Sequence, residues 1–475
     1  MLARSKSKML VRMAFVLAAL SSSALAGDTN GWRNGGTGEA LGVNPPIVGQ
    51  ADTTERWKTA ANSWGNASPV RLGSLICITE EPVSVTCFDA DSGTQRWTAT
   101  NRYMDTLPVA ERPKMDDLVK KLNADRARQD VIRAEMGQVQ RELRRSTAGS
   151  DVQQRYDGLM AELNGIAERQ QRHAAHILSD EHGIIGYATA TPTVAGGHIY
   201  ALFGNGVLSK FSEQGERKWS VWLGPPTRPM KGYHTGTSAS PMMADGVLIA
   251  PFAQLQGVDP ATGRVLWKAS KYPHYGTPAI ASVGGSSVVV TPEGELINPK
   301  DGSELGDPLA SIEFIGPVAK GDKVYVIGHT RYPDNSVATH ATGYQLSRLP
   351  NGRIESKQLW DRKLSKERTY ASPAVSDERI YVLYKSGDVE VLSPRTGEQI
   401  SVVEELPTAR NGSPSVAMGG GKLLMTFEVG VFRTYTDADQ PKPLGRGMIE
   451  SHRATALLDG SRIYIRGFNH LYCIE

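Results

Sequence analysis

Asp89-Ala90-Asp91-Ser92-Gly93-Thr94-Gln95-Arg96-Trp97 returns later in the chain as Asp259-Pro260-Ala261-Thr262-Gly263-Arg264-Val265-Leu266-Trp267. Weaker copies lie around Gly215 and Trp219, Gly302, Gly352 and Trp360, and Gly397. An Asp side chain can bond its own backbone a few residues on, and glycine accepts the positive φ of a tight turn. Two strands therefore meet at each copy, and the tryptophan opens an outer strand with a ring large enough to cover a gap between neighbouring sheets. A second signature opens each unit, a small residue before proline: Ser68-Pro69, Thr191-Pro192, Ser240-Pro241, Thr277-Pro278, Gly316-Pro317, Ser372-Pro373 and Ser413-Pro414. An eighth copy, Ala454-Thr455-Ala456, lacks the proline. Each leads through a turn into a β-branched or aromatic run, as at His198-Ile199-Tyr200 and Arg462-Ile463-Tyr464.

A unit of three or four short antiparallel strands cannot bury both faces alone, and radial stacking of the units solves this. The expected fold is all-β, an eight-bladed β-propeller over residues 27–475. Its closure is also readable. The last unit ends at Leu471-Tyr472-Cys473-Ile474-Glu475 without an outer tryptophan strand, and such a strand stands near the other terminus as Glu55-Arg56-Trp57-Lys58-Thr59. The N-terminal segment is expected to complete blade 8.

Residues 105–180 interrupt the repeat between blades 1 and 2. Met115, Leu118 and Leu122, then Ile132, Met136, Val139 and Leu143, follow helical spacing, as do Val152, Tyr156, Leu159, Leu163 and Ile166. The expectation is an antiparallel helical hairpin turning at Ser146 to Gly149. Its acidic and basic residues balance, so the Arg141, Arg144 and Arg145 cluster reads as a solvated face.

The first 26 residues read as a signal peptide, with basic residues to Arg12, an apolar stretch from Met13 to Leu20 and the small-x-small site Ala24-Leu25-Ala26. The expected location is exported, periplasmic or extracellular. No later apolar run is long enough to span a bilayer, and no cysteine follows the cleavage site to carry a lipid anchor. The 53 Lys+Arg and 50 Asp+Glu give +3; Arg4, Lys6, Lys8 and Arg12 leave with the leader, and the mature chain stands at −1. That balance removes the electrostatic basis for a nucleic-acid partner. Of three cysteines, Cys77 and Cys87 face each other across a hairpin centred on Pro82, as a cross-strand disulfide or as buried thiols.

The proline opening, the Asp-x-x-x-Gly-x-x-x-Trp turn and the Trp57 closure together resemble the repeats of PQQ-type, quinoprotein-like eight-bladed propellers. Trp32-Arg33-Asn34-Gly35-Gly36-Thr37-Gly38 is similar to the Trp-Arg-Gly-Pro-x-Gly leader of an exported group of these proteins, with Gly35-Gly36 in place of Gly-Pro. The resemblance implies two classes of function. One is a PQQ- and calcium-dependent alcohol or sugar dehydrogenase, a family expected to stack the quinone on a disulfide between adjacent cysteines; this chain has no Cys-Cys pair and no alignable set of calcium ligands. The other is a non-catalytic scaffold of the BamB type, from outer-membrane barrel assembly, and the lipid-bearing cysteine of that group is absent. The leading expectation is an exported binding or scaffold propeller with no cofactor, whose partner is an envelope protein or a small ligand such as a saccharide.

The functional surface of a propeller is usually the mouth of its channel, built by the loops that enter the innermost strands. Here those loops carry Trp64, Tyr187, Tyr233 with His234, His274 with Tyr275, Phe314, Tyr370, Arg410 with Asn411, and His452 with Arg453. Trp64, Tyr187, His234, Tyr275, Tyr370, Arg410 and His452 are the candidate ligand-binding residues, since aromatic rings with a few cations can hold a sugar, a quinone or a peptide. His173 and His176, with His182 beyond, complete no metal-ligand spacing and read as solvent-facing. No Gly-x-Ser-x-Gly elbow is present, and neither a Ser/His/Asp set nor a glycosidase-type carboxylate pair can be argued from position.

Overall fold

The structure is a computed structural model and describes residues 31–50, 53–144, 149–173, 185–225, 238–272, 275–331, 337–366, 368–404 and 414–475. Its strands form eight antiparallel sheets, seven of four strands and one of three, arranged as the blades of a propeller. Blade 1 runs from Val70–Leu72 through Leu75–Glu80 and Ser84–Asp89 to Gln95–Thr100, and the other blades repeat this order from the channel outward. Blade 8 closes as the sequence requires: Glu55–Ala60 pairs with His470–Ile474, placing Trp57 opposite Cys473 and Thr59 opposite Leu471.

The two sequence signatures each make a seam between blades. Trp57 Nε1 donates to the Ala90 carbonyl at 3.1 Å, Trp97 to Glu213 at 2.8 Å, Trp219 to Pro260 at 3.2 Å, Trp267 to Pro299 at 2.9 Å and Trp360 to Pro394 at 3.0 Å. In every case the acceptor lies in the Asp-x-x-x-Gly-type turn of the next blade. The turn glycine is required twice over. Gly93, for example, has φ +71°, and a Cβ there would lie 2.6 Å from the Trp57 ring. The ring packs where a side chain would otherwise stand.

The residue before the proline makes the second seam. Its hydroxyl accepts the backbone N–H of the equivalent residue one blade back: Ser68 N–H to Thr191 at 3.1 Å, Thr191 to Ser240, Ser240 to Thr277, Ser372 to Ser415 and Ser415 to Thr455 at 3.0 Å, and Thr455 to Ser68 at 3.2 Å. These bonds form a collar around the channel, interrupted at Gly316 in blade 5. They also correct the register of the seventh unit: Ser415, with Val416 in the place of the proline, stands in the collar, two residues before Ala417–Gly419, just as Ser68 stands before Val70–Leu72. Ser413 lies outside the described residues, and Pro414 only imitates the signature.

Blades 4 and 5 depart from the repeat. Blade 4 has three strands, Ala279–Val283, Ser286–Val290 and Leu296–Ile297. In place of a fourth, the chain runs back along it, with Leu305 N–H on the Leu296 carbonyl, Leu309 on Gly294 and Ile312 on Pro292. Blade 5 lengthens its middle strands to Lys323–Arg331 and Val337–Arg348, which accounts for its long spacing. Its loop residues Asp334, Asn335 and Ser336 lie outside the described residues.

Two helices, α1 (Arg112–Leu143) and α2 (Ser150–Arg172), form the hairpin between blades 1 and 2. Ile132, Met136 and Ile166 pack between them with Tyr156, Leu159, Met160 and Leu163. Ion pairs cross the same interface, Arg128 to Glu162 at 2.7 Å and Arg169 to Asp125 at 2.8 Å. The root is anchored on blade 2, where Tyr103 meets Trp222 edge-on at 5.2 Å and buried Asn101 donates to the Val207 carbonyl at 3.0 Å. Cys77 and Cys87, directly opposed with Cα atoms 4.1 Å apart, are joined as a disulfide inside blade 1, and Cys473 is a buried free thiol. Among the described residues, no helix is long and apolar enough to cross a membrane.

Candidate functional site

The segment ahead of blade 8 decides what the central channel becomes. Residues 31–40 cross one end of it as a strap. Thr37 accepts the Val375 N–H of blade 6, Gly38 and Ala40 exchange backbone bonds with Met418 of blade 7, and Glu39 pairs with Lys320 of blade 5 at 2.5 Å. Gly31 lies against Thr193 and the Pro241 carbonyl on the far side. Arg33 is buried and donates to the carbonyls of Gly36 at 3.0 Å and Pro373 at 2.7 Å. Burial lowers its pKa to about 9, so it is still charged at neutral pH. Six of the eight residues from Gly31 to Gly38 have left-handed φ, Arg33 and Asn34 among them. Such a path is open chiefly to glycine, which supplies the other four.

The strap turns the channel into a blind cavity of about 560 Å³, a size ordinary for small-molecule sites. Trp32 forms its floor, with the Arg33 guanidinium 5.2 Å from the indole centroid. The collar residues Ser68, Thr191, Ser240, Thr277, Gly316, Ser372, Ser415 and Thr455 all line it.

One side of the mouth is aromatic. Tyr275, Phe314 and Tyr370 come from the successive connections into blades 4, 5 and 6 and line the cavity. Tyr275 and Phe314 are parallel at 6.3 Å, and Tyr370 meets Phe314 edge-on at 5.7 Å. Phe314 is held at φ +68°, a left-handed conformation that costs a bulky residue about 1–2 kcal/mol, and that geometry sets its ring in the wall. Behind the rings lies His329, 2 % exposed, touching both Phe314 and Tyr370 edge-on. Its Nε2 accepts the Thr369 N–H at 3.0 Å, and burial with nearby Arg368 lowers its pKa, so the ring is neutral. Charges stand beside the rings: Lys385 lies over Tyr370, 5.8 Å from its centroid, and further round the rim Glu428 pairs with Arg453 at 2.5 Å.

Of the residues expected at the mouth, Tyr275 and Tyr370, with Phe314 and Arg453, line this cavity. Trp64, Tyr187 and His452 are not among its lining residues. Trp64 packs over Gly186, Tyr187 is 5 % exposed in the core shared by blades 1 and 2, and His452 is fully buried. Burial lowers the His452 pKa to about 4, its Nδ1 lies 3.3 Å from the Glu450 carbonyl, and Nε2 has no partner. His234 and Arg410, like Tyr233, His274 and Asn411, lie outside the described residues, as do His176 and His182.

Sequence reasoning passed over Trp32, the collar hydroxyls, His329, Lys385 and Glu428. Only the collar had a visible signal, the recurring Ser or Thr before proline. The described lining does not fit a calcium-held quinone. It contains neither histidine nor cysteine, its one carboxylate is tied to Arg453, and the Cys77–Cys87 disulfide sits in blade 1. Among the described residues, no group of three or more His, Cys, Asp or Glu is placed to hold a metal ion.

A family profile described as outer membrane protein assembly factor BamB matches residues 171–329 and 253–475. No curated protein sequence matches the chain. Among solved structures, BamB from Moraxella catarrhalis is similar at a TM-score of 0.51 and 10 % identity, over 89 % of this chain and 99 % of that one. A europium-containing methanol dehydrogenase is similar at 0.52 and 10 % identity, over 94 % and 98 %. Quinohemoprotein alcohol dehydrogenase ADHIIG from Pseudomonas putida HK5 is similar at 0.50 and 10 % identity, over 95 % and 80 %. At such identities the likeness is one of fold.

Proposed function

We propose that this chain, which belongs to the family of the outer membrane protein assembly factor BamB, is an exported, non-catalytic binding propeller of the bacterial cell envelope. The observation that carries this reading is the chemistry of the cavity lining. Among the described lining residues the polar groups are neutral hydroxyls, the Asn66 amide, an ion pair already made and Lys385 at the rim, with no histidine or cysteine and no carboxylate outside the ion pair, which suits holding a guest. The mouth loops, and the hairpin rooted beside them, are the contact surface. The hairpin interrupts the connection from Gln95–Thr100 to Thr193–Ala195, and Ile185 and Thr189 of that same connection line the cavity. A BamB-type relationship supports an envelope location and a protein partner. The leader over residues 1–26 belongs to the same proposal.

Two experiments test it. Purified protein supplied with PQQ and calcium is expected to give no alcohol-driven dye reduction; turnover would install the dehydrogenase reading. Capture of partners from envelope extracts is expected to weaken when residues 105–180 are deleted. Undiminished capture would remove the hairpin from the contact surface.

A further inference from the structure

The cavity sorts its chemistry by direction, and that sorting identifies a class of guest. Around the throat, six hydroxyls (Ser68, Thr191, Ser240, Thr277, Ser415 and Thr455) each accept one backbone N–H from the blade before. A hydroxyl that accepts still has its own O–H to donate. Among the described lining residues formal charge is sparse: Glu428 and Arg453 neutralise each other, leaving Lys385 at the rim. On the side of blades 4 to 6, Tyr275, Phe314 and Tyr370 leave part of each ring uncovered, and Trp32 provides a fourth aromatic surface below.

A guest matched to this arrangement needs an apolar face to lie on the rings and many neutral hydroxyls to meet a circle of hydroxyls. A flat hydrocarbon lacks the second property, and a multiply charged guest would find one unpaired charge among the described lining residues. A pyranose has both, with axial C–H bonds on one face and equatorial hydroxyls around its edge. Resting on the reading of the cavity as a binding site, we propose that its ligand is a neutral saccharide of one or two pyranose units, seated on the aromatic wall with its hydroxyls toward the collar.

The test uses the full purified protein and saturation-transfer NMR with three probes: cellobiose, N,N′-diacetylchitobiose and the tripeptide Ala-Tyr-Ala. At least one disaccharide is expected to show transfer to its ring protons and to quench Trp32 fluorescence, read against a Trp32→Phe variant. Tyr370→Ala is expected to weaken it about tenfold. Phe314→Gly removes a ring at a left-handed position that glycine tolerates, so the fold is preserved. It is expected to weaken binding to a similar extent. If only Ala-Tyr-Ala binds, and Phe314→Gly abolishes it, the saccharide is refuted while the cavity stands as a binding site. If no probe binds and Trp32 emission does not move, both readings fall.

Discussion

Five seams of the ring, those from blade 8 to 1, 1 to 2, 2 to 3, 3 to 4 and 5 to 6, are joined by a tryptophan donating across to the next turn. The other three manage differently. Between blades 4 and 5, Leu305, Leu309, Ile312 and Ile315 fill the space. Between 6 and 7, Arg379 reaches Asp439 at 2.7 Å and Asp437 at 3.2 Å, and Tyr381 donates to Asp437. Between 7 and 8, Ala40 and Val48 of the N-terminal segment pack against Phe432 and Leu458. The aromatic wall, the interrupted collar at Gly316 and the charged rim all border this less regular half. Repetition supplies the frame, and departures from it supply the chemistry, because a site needs one direction to differ from the rest.

The contrast is testable by stability. Trp57→Ala removes a buried ring and its hydrogen bond at the closing seam and is expected to cost about 3–5 kcal/mol in denaturant unfolding. Arg379→Ala at the ion-paired seam is expected to cost about 1 kcal/mol. Equal losses would break the distinction.

Next in size is a pH effect on the irregular half. His452 has its pKa lowered by burial to about 4, opposed by the neighbouring Glu450. The unfolded chain, titrating near 6.5, binds the proton more readily, so stability is fully present above that value. It falls as pH drops towards 4, by up to roughly 3 kcal/mol. Unfolding midpoints at pH 7 and pH 5 are expected to differ less in a His452→Gln variant than in the parent.

A smaller pair compares turns. Gly215 and Gly352 share a left-handed φ, but a Cβ at Gly215 meets the Trp97 ring at 2.6 Å whereas one at Gly352 meets nothing within 4 Å. Gly215→Ala is expected to cost at least about 2 kcal/mol and Gly352→Ala about 1. Of the same size as Gly352→Ala, Ser240→Ala leaves the Thr191 N–H without its acceptor, an expected loss of about 1 kcal/mol with faster hydrogen exchange at that amide.

The frame was legible because its signals are local and repeated. Trp57 opposite Cys473 follows from a missing strand at one end and a spare one at the other. The hairpin was legible from its periodicity. The site was legible only in part. Tyr275 and Tyr370 stand three residues before their prolines and line the cavity, whereas Tyr187 stands five before Pro192 and packs between blades, leaving Thr189 at the lining position of its connection. Pro414 shifted the seventh register by imitation. Trp32 as floor carried no signal, since its place depends on a strap crossing the whole ring. Phe314 shares the spacing of Tyr275 and Tyr370 before its proline, but its left-handed backbone angle carried no signal.

That strap also couples the molecule to the order of its own synthesis. Residues 31–60 leave the ribosome before any complete blade, yet their docking sites on blades 6, 7 and 8 are made last. A chain cut short before Leu457–Ile474 has nothing to receive Trp57, and the seat of Arg33 on Pro373 and Val416 waits for blades 6 and 7. A finished cavity is therefore a certificate of length: only a polypeptide carried through to its final blade can shut its own floor.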